Sequence, residues 1–77
     1  MNIRVTVGTN TSRKNVIVDN STTLRRVLED NEIDYSRANV NLDGASLNPG
    51  DMDKTFAELG ITESCFLIAS IKQDNAK

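Results

Sequence analysis

The stretch "VNLDGASLNPGDMDKTFAELGITESCFLIASI" (residues 40–71) decides the fold of this chain. Its first residues alternate, with Val40 and Leu42 on one side and polar residues on the other, which is typical of a half-buried strand. The dipeptide "DG" favours a tight turn. The following "ASLN" predicts a very short return strand around Leu47, so the stretch begins as a hairpin.

The second half of the stretch predicts a turn, a single helical turn and a buried strand. In "NPGD", Pro49 sets φ and favours a turn. We expect "MDKTFAELGI" to form one helical turn that packs Phe56 and Leu59 inward and ends at Gly60. The final "CFLIASIK" carries apolar residues on both faces, which favours a central position in a sheet.

The beginning of the chain predicts a β-hairpin. In "NIRVTVG" the apolar residues alternate with polar ones, and "GTNTS" supplies turn-forming residues. In "RKNVIVD", Val16 and Val18 face the same side as the apolar residues of the first strand. These first-strand residues are Ile3, Val5 and Val7.

Between the hairpin and the decisive stretch, "NSTTLRRVLEDNEI" has helical spacing. The apolar stripe consists of Leu24, Val27 and Leu28. We expect Ser21 or Thr22 to cap the first turn, Glu29 to pair with Arg25, and Asn31 to end the helix in a left-handed conformation.

One helix must cover one face of this sheet, because its apolar stripe needs the inward valines and isoleucines as partners. The element order therefore predicts an α+β protein, a β-grasp with a mixed sheet of four to five strands, one main helix and one short helical turn. We assign residues 1–72 to this single domain and residues 73–77 to a short polar tail.

The decisive stretch resembles the ubiquitin-like family, and the resemblance extends over residues 1–72. The matching positions are Val40, Leu42, Gly44, Leu47, Gly50, Thr55, Phe56, Leu59, Ile61 and Leu67. Family modifiers and sulfur carriers end in Gly-Gly, whereas this tail reads "KQDNAK". The chain therefore resembles stand-alone bacterial ubiquitin-like proteins without Gly-Gly, and a divergent sulfur carrier or protein modifier is the alternative.

The amino-acid composition argues against several classes of function. A net charge of −2 argues against a general nucleic-acid binder. The single cysteine, Cys65, excludes an internal disulfide framework and favours a reducing, cytoplasmic environment. No apolar run is long enough to span a membrane. The chain has no histidine, so we predict no catalysis, no metal site and no cofactor.

Charge is nevertheless distributed unevenly along the chain. Residues 1–26 carry five basic side chains against Asp19 alone, while residues 27–63 are strongly acidic. The basic first hairpin leaves open a second alternative, an accessory protein of a mobile element or phage that binds nucleic acid there.

The candidate site is the sheet face away from the helix. We expect this face to bind another protein, with the chain itself a monomer or weak homodimer. Its candidate contact residues are Arg4, Thr6, Ile17, Asn41, Ile68 and Ser70. The resemblance implies an apolar patch centred on a third-strand isoleucine, and Asn41 stands at that position. Phe66 and Ile68 both point outward in this register, although a loop could instead cover either one.

Overall fold

In the computed structural model, which describes residues 1–71, five strands form one mixed sheet in the order β2-β1-β5-β3-β4. The elements are β1 Asn2–Thr9, β2 Arg13–Asp19, α1 Leu24–Asp30, β3 Ala38–Leu42, β4 Ala45–Ser46, a 3-10 helix Pro49–Asp53 and β5 Ser64–Ile71. The predicted β-grasp is confirmed. Lys72, the expected end of the domain, and the tail 73–77 lie outside the described residues.

The last strand occupies the centre of the sheet, as its apolar composition predicts. β5 runs parallel to β1, with Val7 opposite Leu67, and antiparallel to β3, with Val40 opposite Ala69. Both Leu67 and Ala69 are fully buried. Strands from the two ends of the described chain are therefore joined at the middle of the sheet.

The core lies between the sheet and α1. All three residues of the predicted helical stripe are buried, and they pack against Val5 and Val7 of β1. Phe56 is completely buried in the same cluster. Burying a side chain of this size stabilises the fold by about 1.5–3 kcal/mol. Phe56 therefore helps to anchor the segment that runs from the 3-10 helix to β5.

Two details of the helix start differ from expectation. The N-cap is Thr23, whose Oγ1 accepts a hydrogen bond from the Arg26 backbone N–H at 3.2 Å. Arg25 does not pair with Glu29, because its guanidinium lies 3.0 Å from a carboxylate oxygen of Asp53 in the 3-10 helix. The predicted helix was thus right in its buried face and wrong in its cap and its ion pair.

The helix ends at Asn31 as expected, but the left-handed residue is the next one. Asn31 has φ −101°, while Glu32 has φ 59° and takes the left-handed conformation. The Glu32 N–H donates to the Glu29 carbonyl, and the Ile33 N–H donates to the Leu28 carbonyl, which is a Schellman ending. Asn31 instead donates from Nδ2 to the Val27 carbonyl at 2.7 Å. The left-handed residue therefore lies one position later than predicted.

The region predicted to hold one short helical turn contains two short helical segments. The 3-10 helix begins at Pro49, inside the stretch expected to be a simple turn, and ends at Asp53. A separate turn follows at Thr55, where the Thr55 hydroxyl and the Glu58 carboxylate each accept the other residue's backbone N–H. This second turn ends at Gly60, which has φ 83°, and it holds Phe56 in the core. The end of the predicted turn and its inward Phe56 are therefore confirmed, whereas the 3-10 helix before it was not predicted.

We expect the Glu32→Gly variant to be more stable than the native chain by about 0.5–1 kcal/mol, because glycine adopts positive φ without a Cβ clash. Chemical denaturation followed by circular dichroism measures this change. The matched control is Asn31→Gly, which should lose about 1 kcal/mol because it removes the Nδ2 hydrogen bond and adds backbone freedom. Equal effects at the two positions would contradict the assignment of the helix end.

Candidate protein-binding face

The sheet face opposite α1, here called the outer face, is formed by alternate residues of the strands. In one row Arg4 lies between Ile17 on β2 and Ser64 on β5. All six candidate contact residues lie on this face, so strand alternation and register do bring them together. Arg4 and Ile17 are exposed, whereas the other four are half-buried: Thr6, Asn41, Ile68 and Ser70.

Phe66 lies near the middle of the outer face, and our choice of contact residues missed it. It stands opposite Thr6 across the central parallel pair. Its side chain is 53% exposed, so no loop covers it, and Ile17 is 62% exposed. Among residues 1–70, Met1 is the only other large apolar residue exposed to this extent. The alternation of β5 already predicts that Phe66 points outward, and we left it out of the contact residues because a loop could have covered it.

The backbone at Phe66 is held by the turn after β3. The Phe66 N–H donates to the Asp43 carboxylate at 2.8 Å, and the Asp43 N–H donates to the Phe66 carbonyl at 2.8 Å. Asp43 has φ 53° and Gly44 has φ 88°, so the predicted "DG" turn is formed. These two bonds extend the β3–β5 ladder by one residue and fix the strand from which the Phe66 ring projects.

Positive charge on the outer face has no partner within residues 1–71. Arg25, Arg26 and Lys54 each form an ion pair, whereas neither Arg4 nor Arg13 has a carboxylate within ion-pair distance. The neighbouring polar side chains bond to each other, since the Thr6 hydroxyl donates to Asn15 Oδ1 at 2.7 Å. The face therefore offers exposed apolar side chains beside an exposed guanidinium.

Similar sheets occur in solved structures. The ubiquitin-like domain of an Arabidopsis thaliana protein matches with a TM-score of 0.73 and 22% identity, over 99% of this chain and 83% of that one. A ubiquitin-like protein from Trypanosoma brucei gives 0.69 and 25%, over 94% and 96%. Caldiarchaeum subterraneum ubiquitin gives 0.68 and 11%, over 99% and 100%. The chain has the ubiquitin-like β-grasp fold. No protein-family model and no curated protein matches it.

Within this ubiquitin-like sheet, the apolar part of the outer face is not centred on β3. Asn41 is half-buried and stands opposite Ile68, so the β3 position carries an amide. The exposed apolar side chains are Phe66 on β5 and Ile17 on β2. The exposed apolar side chains therefore lie on the two strands that flank β1, and not on β3.

Directly behind the outer face, Cys65 points into the core. Burial, together with the nearby charge of Asp43, raises the pKa of its thiol to about 11. The thiolate that a nucleophile requires is therefore scarce near neutral pH. In the described residues, no three His, Cys, Asp or Glu side chains converge as a metal site would require. No helix of residues 1–71 is both long and apolar enough to cross a bilayer.

A second concavity lies at the opposite side, between α1 and β3. Its apolar floor includes Val40 and Met52, and its rim includes Arg25 and Tyr35. The Tyr35 hydroxyl donates to a Glu29 carboxylate oxygen at 2.8 Å, and this bond raises the pKa of the tyrosine. The Arg25 guanidinium pairs with Asp53, although its buried Nε has no hydrogen-bond partner among the described residues.

We expect Cys65 in the native chain to react with iodoacetamide at pH 8 at least about 100-fold more slowly than in the urea-unfolded chain, because a pKa of about 11 against the ordinary 9.0 lowers the thiolate fraction by that factor. Because the folded pKa is raised, this thiol's contribution to stability is complete below about pH 9 and is lost as the pH rises toward 11. Mass spectrometry of the alkylated chain measures the rate.

The control moves the thiol by one residue, by combining Ser64→Cys with Cys65→Ala. Ser64 is exposed, so its replacement should be alkylated as fast in the folded chain as in urea. Equal rates for native and unfolded Cys65 would contradict the buried, protonated thiol.

Proposed function

We propose that this ubiquitin-like chain is a non-catalytic module that binds a partner protein through its outer face. The observation that carries this proposal is the exposure of two large apolar side chains on one face, Phe66 at 53% and Ile17 at 62%. Aromatic side chains are enriched among the residues that dominate binding energy. Folding leaves the apolar surface of Phe66 in water, so a partner that covers this side chain gains the free energy of removing that surface from water.

The charges of this face define the chemistry of the partner. Arg4 lies beside Ile17 in the same row, and Arg13 lies farther along β2; neither has an acidic partner among residues 1–71. Complementarity then calls for a partner surface with an apolar side chain to meet Phe66 and carboxylates to meet the guanidiniums. The predicted contacts at Thr6, Asn41, Ile68 and Ser70 would form the polar and half-buried rim.

The sheet also keeps the entropic penalty of binding low. Arg4 and Phe66 lie on β1 and β5, the two strands that pair at the centre of the sheet, so their backbones are already ordered. Within the chain, the conformational freedom lost on binding is then mainly that of side-chain rotations, and a phenylalanine ring has few of these. A surface prepared in this way suits an adaptor or accessory protein.

The test begins with a partner that the native chain captures from cell lysate and that is then purified. We expect Phe66→Ala to weaken binding of this partner by about 30-fold in Kd, the effect of an aromatic anchor worth about 2 kcal/mol. Isothermal calorimetry measures the Kd. Thermal unfolding should show that Phe66→Ala and Ile68→Asp remain folded, because neither side chain is fully buried.

The matched control is Arg26→Ala, which changes an exposed residue of α1 on the other side of the molecule and should leave the Kd unchanged. Amide shifts in NMR titration should concentrate on β1 and β5. Unchanged affinity for Phe66→Ala, with shifts centred on α1, would overturn the proposal. ATP-dependent adenylation of the chain, or DNA retention that weakens with salt, would favour the two alternatives instead.

A further inference from the structure

One edge of the sheet is long and open. β2 spans seven residues, Arg13–Asp19, and pairs only with β1, so its second side has no partner among residues 1–71. The other edge, β4, has only two residues. An extended edge presents a row of unpaired N–H and C=O groups that can pair with another strand.

The ladder between β1 and β2 determines which backbone groups face this open edge. The Thr9 N–H donates to the Ser12 carbonyl, and the Asn20 N–H donates to the Met1 carbonyl, at the two ends of the ladder. Hydrogen-bonded pairs alternate along an antiparallel ladder. Even-numbered residues of β2 therefore bond to β1, and odd-numbered residues face the edge. The edge-facing residues are Arg13, Asn15, Ile17 and Asp19.

We propose that this edge binds a second copy of the same chain, with the two β2 strands antiparallel and Val16 opposite Val16 at the symmetry axis. In this register Asn15 meets Ile17 of the second copy and Arg13 meets Asp19. The four residues of these two pairs face the edge, so each can exchange backbone hydrogen bonds with the residue opposite it. The two sheets then form one continuous sheet whose outer faces are contiguous.

Charge and length select this register. Arg13 has no ion pair within residues 1–71, and twofold symmetry sets it against Asp19 of the second copy twice. Asp19 already bonds the Met1 ammonium at 3.0 Å, but its side chain remains 46% exposed and can accept a second cation. Registers centred on Asn15 or Ile17 also match the backbone groups, but they shorten the overlap of the strands and separate these charges. The half-buried Val16 is covered by its own counterpart, and the exposed Ile17 side chains of the two copies become diagonal neighbours.

Lys14 is compatible with the same pairing. A lysine on an edge strand usually discourages pairing with other chains, but here it would lie opposite Val18 of the second copy. Val18 borders a depression between β2 and α1 that is also lined by Glu29 and Asp30. Arg25 and Arg26 line the same depression, Asp30 pairs with Arg26, and Glu29 accepts a hydrogen bond from Tyr35. The aliphatic part of Lys14 can therefore cover the valine while its ammonium stays in solvent.

The first test is cross-linking. At a non-hydrogen-bonded antiparallel pair the two Cα atoms lie about 4.5 Å apart, within disulfide range. We expect Val16→Cys to form a covalent dimer under mild oxidation about tenfold or more faster than Val18→Cys. Val18 is the matched control, since it is equally half-buried on the same face but lies opposite Lys14. Cys65 is buried and does not interfere.

The second test is sedimentation of the unmodified chain over a range of concentrations. We expect a weak dimer, since one strand pair is a small interface, and Arg13→Glu should raise its Kd about tenfold by placing like charges opposite twice. Cross-linking at equal rates for the two cysteine variants, or a strict monomer up to about 1 mM, would overturn the proposal. Phe66 is on β5, away from this edge, so Phe66→Ala should leave the dimer unchanged and separates this inference from the partner-binding proposal.

Discussion

The parallel pairing of β1 with β5 is the constraint on which the rest of the structure depends. It joins strands that are more than fifty residues apart in sequence and places Val5, Val7 and Leu67 in one buried layer. A parallel pair needs a long crossover, and α1 with the segments after it provides this connection. Because α1 must cover the buried layer, the opposite side of the same strands remains open to solvent.

Because α1 covers only one side of the sheet, inward and outward residues of the same strand have different environments. Inward residues of β1 and β5 are apolar and fully buried, and Cys65 among them has a protonated thiol. The next residue, Phe66, points the other way and is largely exposed. Adjacent residues of one strand therefore have opposite roles: Cys65 belongs to the core, whereas Phe66 supplies the most accessible aromatic surface near the centre of the sheet.

The outer face and the β2 edge are two different surfaces of one sheet. The face offers side chains, and Phe66 and Arg4 lie on its central strands. The edge offers backbone groups of odd-numbered β2 residues. Ile17 belongs to both, since its side chain lies on the face and its N–H and C=O lie at the edge. A dimer formed through β2 would bring two such faces side by side, so that a partner could contact both copies.

Local pattern determined much of this protein from the sequence alone. The period of two in β1, β2 and β3 and the helical stripe of α1 identify the element order, and the apolar composition of β5 indicates its central place, because burial selects side chains at every position of a strand or helix. The same alternation was sufficient to place the six candidate contact residues on one face.

Tertiary structure decided what depends on contacts between distant residues. Thr23 rather than Ser21 or Thr22 caps α1, and Glu32 rather than Asn31 takes positive φ, while the Asn31 amide bonds back to Val27. Several neighbouring residues have the right chemistry at both helix ends, so only the packed chain selects among them. The exposure of Phe66 likewise depends on whether a loop covers it. Only the folded arrangement of strands and loops leaves that ring open, and no local pattern contains that information.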